Sequence, residues 1–281
     1  MLKVYREADM TISDSHPSSK LNQLLQKWPK GAVATYPWLK EQGISRQLVG
    51  VYKRYHWLTP VGRGAFVRSG ESVTWPGALH AIQREHGCTI HAAGKTALQL
   101  QGYAHFLPAG ESAPIWVQGA PGERLPLWFT RHKWQGRVHY STSRLLPPPL
   151  AVSLGLSDHD HGGLSIRLST PERAILEVLP FVPDPQSFEE ARLLMEGLRT
   201  LRPKLVQELL EACTSVKAKR LFLVLAEACA HAWLKNLDLS RISLGAGKRV
   251  LVAGGRLHPK YQITVPPDVL PATVSAETSA P

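Results

Sequence analysis

The chain has 281 residues and a formal net charge of +11 at pH 7, because 33 Lys and Arg outnumber 22 Asp and Glu. Its 43 % hydrophobic and 20 % charged residues are typical of a globular protein. The chain has no long apolar run, and its first residues mix charges with Ser, which argues against a membrane span and a secretion signal and predicts a cytoplasmic protein. Cys88, Cys213 and Cys229 form no CxxC pair, which argues against a disulfide framework and a structural zinc site.

The positive charge is concentrated near the start of the chain. Residues 17–70 carry nine basic side chains and one acidic side chain, Glu41, whereas residues 71–281 have a surplus of only four positive charges. A small module with so much positive charge indicates a polyanionic partner such as DNA. A basic solvated surface is the alternative, so the pattern of residues has to decide.

Three short helices are predicted in this module. Residues 19–28 repeat apolar side chains at helical spacing. Thr35 is a candidate cap for a second helix that ends at Gly43, and Ser45 is a candidate cap for a third helix over residues 46–56. Two short helices joined by a turn that contains glycine predict a helix-turn-helix.

The third predicted helix has an apolar face and a polar face. Leu48, Val51, Tyr52 and Tyr55 share the apolar face, which predicts that they pack inward. On the polar face, Arg is suited to paired hydrogen bonds with guanine, Gln to adenine, and Lys or Arg to phosphates. The residues of this helix predicted to contact DNA are Ser45, Arg46, Gln47, Gly50, Lys53 and Arg54. Gly50 either lets the backbone approach DNA closely or accommodates packing within the protein.

A strand-turn-strand segment follows the third helix. Residues 57–60 and 65–68 favour extended structure, and they flank a turn in which Arg63 stands between two glycines. This pattern predicts the wing of a winged helix. Arg63 at its tip is predicted to enter the minor groove, where negative potential is concentrated, and the alternative is a solvated turn residue.

The rest of the chain predicts a larger mixed α/β domain over residues 71–266, so the predicted fold class is α+β. Predicted helices cover residues 75–85, 94–100, 171–179, 187–201, 204–213 and 215–234. Predicted strands cover residues 114–118, 125–130, 138–142, 164–168, 249–253 and 261–265, the last two as a hairpin. The apolar segment 221–226 indicates a buried central helix. Residues 1–16 are predicted to be a flexible N-terminus, residues 17–70 the winged helix-turn-helix domain, and residues 267–281 a disordered tail.

The sequence offers no strong metal, nucleotide or catalytic site. Asp158-His159-Asp160-His161 has residue types that bind metals, but so local a string between glycines predicts a solvated loop. Residues 245–249 lack the Ser or Thr and the following helix of a phosphate-binding loop. No histidine has a Ser, Cys or carboxylate partner at a diagnostic spacing. We therefore expect no catalytic residues, no metal and no cofactor.

Two basic clusters of the larger domain are candidates for contact with a partner. Lys217, Lys219 and Arg220 lie at the start of a predicted helix, where positive charge opposes the helix dipole and therefore indicates an external acidic or nucleic-acid partner. Lys248 and Arg249 begin a predicted strand. In both clusters, exposed and solvated charges are the alternative.

Residues of both domains resemble a known family, the AbiEi antitoxins of bacterial type IV toxin–antitoxin and phage-defence operons. The matching stretches are Val33-Ala34-Thr35, Gly43-Ile44-Ser45-Arg46, Tyr55-His56-Trp57-Leu58-Thr59-Pro60-Val61-Gly62-Arg63-Gly64-Ala65-Phe66, Ser169-Thr170-Pro171-Glu172-Arg173-Ala174-Ile175-Leu176-Glu177 and Gly245-Ala246-Gly247-Lys248-Arg249. Two positions depart from the family pattern, which often has glycine in place of His56 and commonly Tyr in place of Phe66. The resemblance implies a winged helix that represses the protein's own operon and a larger domain that neutralises a co-encoded nucleotidyltransferase toxin.

The sequence therefore predicts a non-enzymatic antitoxin that binds double-stranded promoter DNA. Winged helices usually act in pairs, so inverted repeats are the expected operator. Two other functions stay open: a ligand-responsive winged-helix transcription factor, and a nucleic-acid enzyme with a winged-helix targeting module. The lack of a carboxylate cluster in the sequence argues against the enzyme.

Overall fold

The computed structural model of the chain describes residues 17–85, 87–103, 113–142, 144–252 and 254–267. The predicted flexible N-terminus and the predicted tail beyond residue 267 lie outside these residues. No helix in the described ranges is long and apolar enough to cross a membrane.

Three helices and a small antiparallel sheet form the first unit, here called the winged unit. Its elements are α1 (Pro17–Lys27), β1 (Ala34–Thr35), α2 (Tyr36–Glu41), α3 (Arg46–Arg54), β2 (Leu58–Gly62) and β3 (Ala65–Arg68), with sheet order β1-β3-β2. Both predicted caps are present, because Ser45 Oγ accepts a hydrogen bond from the Leu48 N–H at 3.2 Å and Thr35 Oγ1 accepts one from the Trp38 N–H at 3.5 Å. The predicted winged helix-turn-helix is confirmed.

The inward face of α3 differs in part from the prediction. Tyr52 is buried as predicted, but its buried neighbour on the helix is Val49, three residues earlier. The prediction for Tyr55 is wrong, since α3 ends at Arg54 and the Tyr55 side chain is 66 % exposed. The helix is shorter than its apolar pattern suggested, because the chain turns at His56.

A five-stranded mixed sheet lies at the centre of the second unit, here called the larger unit. Its strands are β4 (His91–Ala92), β5 (Ile115–Gly119), β6 (Val138–Thr142), β7 (Leu156–His161) and β8 (Leu164–Ser169), in the order β6-β5-β4-β8-β7.

The prediction of a solvated loop at residues 158–161 is wrong, because these residues belong to the edge strand β7, which pairs antiparallel with β8. Successive side chains of a strand point to opposite faces, so the Asp-His-Asp-His string does not converge on one ion. Within the described ranges, no group of three or more His, Cys, Asp or Glu side chains is arranged to hold a metal.

Seven α-helices of the described chain belong to the larger unit. They are α4 (Trp75–Gln83), α5 (Gly94–Leu100), α6 (Leu127–Arg131), α7 (Pro171–Val178), α8 (Phe188–Gly197), α9 (Pro203–Ala212) and α10 (Val216–Ala228). The strand predicted over residues 125–130 is wrong, because α6 occupies most of it. The buried residues of the segment 125–130 are Leu125, Trp128 and Phe129. Their spacing is that of a helix, whereas a strand would alternate buried and exposed residues.

The C-terminal part of the larger unit contains the predicted buried helix. Residues 221–226 of α10 are all buried, as predicted, but α10 ends at Ala228 because Ala230 adopts a positive φ of 51°. A small sheet follows, with β9 (Arg249–Val250), β10 (Arg256–His258) and β11 (Ile263–Val265) in the order β10-β11-β9. The hairpin predicted between residues 249–253 and 261–265 is wrong, since β9 and β11 run parallel and the antiparallel partner of β11 is β10.

The two units pack directly against each other. Gly77 of α4 lies so close to Gly31 that a Cβ atom at Gly77 would be 1.9 Å from the Gly31 carbonyl oxygen. At the wing, a Cβ atom at Gly62 would be 2.7 Å from the Cβ of Trp128 on α6. Val67 of β3 also belongs to the hydrophobic core of the larger unit. These contacts fix the orientation of the winged unit relative to the larger unit.

Candidate nucleic-acid interface

The predicted DNA-contacting side chains lie on one exposed surface of the winged unit. Every residue that the sequence predicted for it on or next to α3 is exposed: Ser45, Arg46, Gln47, Gly50, Lys53 and Arg54. Arg63 is also exposed, in the turn between β2 and β3. The folding of α3 accounts for this placement, because burial of Val49 and Tyr52 turns the positions between them toward solvent.

Tyr36 connects α3 to the wing, a role that no motif in the sequence indicates. The guanidinium carbon of Arg46 lies 5.5 Å from the centroid of the Tyr36 ring, and that ring packs edge-on against Phe66 of β3 with 5.1 Å between centroids. The Tyr36 N–H donates to the Gly64 carbonyl in the wing turn at 2.9 Å. One residue at the start of α2 therefore orients Arg46 and holds the wing turn in place.

A groove separates α3 from the wing. Its volume is about 680 Å³, and its lining includes Arg46 and Lys53 from α3 and Arg63 from the wing turn. Among the described residues, the lining contains no acidic side chain. Three cations on the walls of one groove create a positive potential suited to a phosphate backbone.

Gly50 has open space around it. No heavy atom lies within 4 Å of the position that a Cβ would occupy, and its φ is not in the left-handed region. The structure therefore removes one of the two interpretations of this glycine, accommodation of packing within the protein. Close approach of an external backbone remains a proposal.

His56, two residues after the end of α3, lies in the left-handed region with φ of +56°. A residue with a Cβ atom has a steric cost in this region that glycine does not have. The reversal at His56 leaves the rings of Tyr55 and Trp57 66 % and 51 % exposed beside the C-terminus of α3. The sequence pattern predicts Tyr55 on the inward face of α3 and gives no sign that Trp57 is a surface residue.

Three residues predicted to contact a partner lie wholly or partly inside the fold. Arg220 is 2 % exposed, and its guanidinium donates to the carbonyl oxygens of residues 244, 245, 247 and 262 at 2.7–3.0 Å. Lys219 is 4 % exposed, and the Lys217 ammonium donates to the Pro180 carbonyl at 2.8 Å. Burial lowers the pKa of Lys217, and burial together with the charge of Arg249 lowers that of Arg220. This correction leaves Lys248 and Arg249 as the exposed members of the predicted set.

The segment from Ser169 to Glu177, which carried part of the family resemblance, forms a buried polar network. The Glu177 carboxylate accepts hydrogen bonds from Arg173 Nε at 2.7 Å, from Ser169 Oγ at 2.8 and 2.9 Å, and from the Gly94 N–H at 3.0 Å. Burial would raise the pKa of Glu177, but the charge of Arg173 and the His91 ring together hold it at about 2. The network joins α7 to β8 and to the start of α5, and its burial gives it no access to a substrate.

The thiols do not have the environment of nucleophiles. Burial raises the pKa of Cys88 to about 12 and also raises the pKa of Cys213 and Cys229. A thiol with a raised pKa stays protonated near neutral pH, and the thiolate is the reactive form.

Two family models match this chain and together span both units. The model described as "Transcriptional regulator, AbiEi antitoxin N-terminal domain" matches residues 17–109, and the model described as "Transcriptional regulator, AbiEi antitoxin, Type IV TA system" matches residues 112–266. No curated protein matches the sequence. The crystal structure of the RV2827C protein from Mycobacterium tuberculosis is similar in fold, with a TM-score of 0.55 at 17 % identity over 88 % of this chain and 90 % of that one.

Proposed function

Because the chain belongs to the AbiEi antitoxin family of transcriptional regulators in type IV toxin–antitoxin systems, we propose that it represses its own operon through the winged unit and neutralises a co-encoded nucleotidyltransferase through the larger unit. The observation that carries the first half is the groove lined by Arg46, Lys53 and Arg63, with no acidic residue among the described residues of its lining. The second half rests on membership of the family.

In the proposed complex, α3 lies in the major groove of the promoter. Arg46 and Gln47 near its N-terminus read base edges, and Arg46 approaches DNA already oriented by the Tyr36 ring. Lys53 and Arg54 in its last turn contact phosphates, which positions the helix without reading sequence. Arg63 reaches from the wing turn into the adjacent minor groove. Two copies of the chain occupy the halves of an inverted repeat.

A titration of the full chain against a labelled duplex from its own upstream region tests DNA binding. The triple variant Arg46→Ala, Lys53→Ala, Arg63→Ala should lose at least a hundredfold in affinity. It removes the phosphate contact of Lys53, worth about fivefold near 0.15 M salt, together with the base contact of Arg46, worth about 1–3 kcal/mol, and the minor-groove contact of Arg63. The matched control is Lys204→Ala with Lys235→Ala, since both are exposed lysines of the larger unit. Equal affinity of the triple variant and the wild type would contradict the proposal.

Base reading and phosphate contact leave different signatures. Arg46→Ala or Gln47→Ala should weaken binding to the operator more than to a scrambled duplex, by about 1–3 kcal/mol per lost pair of hydrogen bonds. Lys53→Ala should weaken both by the same factor and flatten the slope of log affinity against log salt by about 0.9.

Neutralisation is best tested with the full chain, since the contacts of Gly77 with Gly31 and of Gly62 with Trp128 connect the two units. The triple variant defective in DNA binding, expressed from an unrelated promoter, should still restore growth to cells that express the neighbouring nucleotidyltransferase. Lys248→Glu with Arg249→Glu tests whether the exposed part of the predicted partner cluster is needed. Continued growth arrest with soluble, folded wild-type chain would contradict the second half of the proposal.

A further inference from the structure

The wing is in contact with a helix of the larger unit. At Gly62 in β2, a Cβ atom would lie 2.7 Å from Trp128 Cβ and 3.1 Å from Trp128 Cα, so the wing backbone rests directly on the backbone of α6. Arg63, at the wing tip, is the next residue in the chain. Whatever the wing approaches therefore also comes near α6.

The side of α6 next to this contact is exposed. Successive residues of a helix are turned by about 100°, so Arg131 lies between Leu127 and Trp128 around the axis of α6. Leu127 is 66 % exposed and Arg131 is also exposed, whereas Trp128 is buried beneath the wing. Lys133 lies in the turn that follows α6 and is exposed as well. A hydrogen bond of 2.8 Å from Trp134 Nε1 to the Phe129 carbonyl folds this turn back onto α6.

The segment of sequence that contains α6 is strongly basic. Between Glu123 and Asp158 the sequence contains no acidic residue but five basic ones: Arg124, Arg131, Lys133, Arg137 and Arg144. Across the described residues, neither Arg131 nor Lys133 forms an ion pair. The small surplus of charge over the whole larger unit conceals this local concentration. Exposed cations on the segment that contacts the wing create a positive potential that attracts a polyanion.

We propose that α6 and the turn after it extend the DNA-binding surface, with Arg131 and Lys133 contacting phosphates that flank the part of the operator contacted by the wing. This inference rests on the proposed function of the winged unit. Its ligand is the DNA backbone rather than the base edges, because Arg131 and Lys133 are exposed cations without an ion pair among the described residues, and such cations suit phosphates. The contribution to affinity is therefore independent of base sequence.

The salt dependence of binding by the full chain tests this proposal. Arg131→Ala with Lys133→Ala should flatten the slope of log affinity against log salt by about 1.8 and weaken binding about thirtyfold near 0.15 M salt. The loss should be the same on the duplex from the chain's own upstream region and on a scrambled duplex of equal length. Arg131→Lys with Lys133→Arg preserves both charges and should bind with the wild-type slope. Because both side chains are exposed, thermal unfolding of each variant should stay close to that of the wild type.

The outcomes separate this proposal from the one on which it rests. If the triple variant of α3 and the wing loses affinity while Arg131→Ala with Lys133→Ala keeps the wild-type slope, the α6 surface does not bind DNA and the inference is wrong. If neither variant changes affinity, the proposed DNA binding itself fails. If Arg131→Glu with Lys133→Glu leaves the slope unchanged but abolishes growth rescue, the surface contacts the toxin, which also overturns the inference.

Discussion

Arg173 and Glu177, one helical turn apart on α7, form an ion pair of 2.7 Å inside the core, where both side chains are at most 5 % exposed. Such a pair is costly to desolvate, and it persists because Ser169 and the Gly94 N–H supply further hydrogen bonds to the carboxylate. The pair therefore fixes how α7, β8 and α5 meet.

The low pKa of Glu177 predicts acid sensitivity of the fold. Its folded value of about 2 lies below the ordinary value of 4.5, so its contribution to stability is complete above about pH 4.5 and is lost as the pH falls toward 2. Glu177→Gln should lower the free energy of unfolding at pH 7 by about 3 kcal/mol and flatten its dependence on pH between 4.5 and 2. Urea denaturation across this range measures both effects. The exposed Glu208→Gln is the matched control, and a pH dependence of Glu177→Gln equal to that of the wild type would refute the prediction.

The carbonyl cluster around Arg220 predicts a large effect of a small substitution. Arg220→Lys keeps the charge but replaces a planar fork by a single ammonium, which cannot reach four carbonyl oxygens spread over residues 244–262. We expect a loss of about 3–5 kcal/mol in the free energy of unfolding and faster hydrogen exchange over residues 244–265. The exposed Arg249→Lys should change neither measurement. Unaltered exchange in Arg220→Lys would mean that these hydrogen bonds do not hold the segment.

Gly50 predicts opposite effects on folding and on binding. Gly50→Ala adds a methyl group in open space and raises helix propensity, so the free energy of unfolding should rise by up to about 1 kcal/mol. If the α3 backbone approaches DNA closely, the same methyl group should weaken operator binding by about tenfold. Thermal unfolding and a duplex titration on the same sample measure the two effects. Greater stability with unchanged affinity would show that the proposed close approach does not occur.

His56 predicts that one substitution relieves strain. His56→Gly should raise the free energy of unfolding by about 0.5–1 kcal/mol, because glycine adopts a φ of +56° without steric cost. His56→Ala is the matched control and should not stabilise, since alanine keeps the Cβ atom. Chemical denaturation of the three proteins distinguishes backbone strain from loss of the imidazole. Equal stabilisation by alanine and glycine would assign the effect to the side chain.

The winged unit is predictable from the sequence because its signals are local. Ser45 caps a helix three residues away, and Gly62, Arg63 and Gly64 form a turn between two extended segments. The same local reasoning fails where tertiary contacts decide the structure. The partners of Arg220 lie 24 to 42 residues further along the chain. The residues next to Arg220 in sequence therefore give no indication that its guanidinium is buried.

The residue types of the candidate interface are predictable from the sequence, but the contacts that hold those residues in place are not. The sequence identifies Arg46 as a polar residue of α3, yet the role of Tyr36 depends on the wing folding back over α2. Likewise, the contact between Gly62 and Trp128 joins residues that are far apart in sequence, and the local pattern around Trp128 predicts a strand where the structure has α6.

The contact of Gly77 with Gly31, together with that of Gly62 with Trp128, bears on the geometry of the proposed operator. A winged unit held at two points cannot swivel beneath its larger unit, so each bound copy projects its larger unit in one direction from the duplex. DNA turns once in about 10.5 base pairs, and five base pairs inserted between the half-sites would therefore direct the two larger units to opposite sides of the duplex. Any contact between neighbouring copies on the operator then depends on the spacing of the half-sites as well as on their sequence.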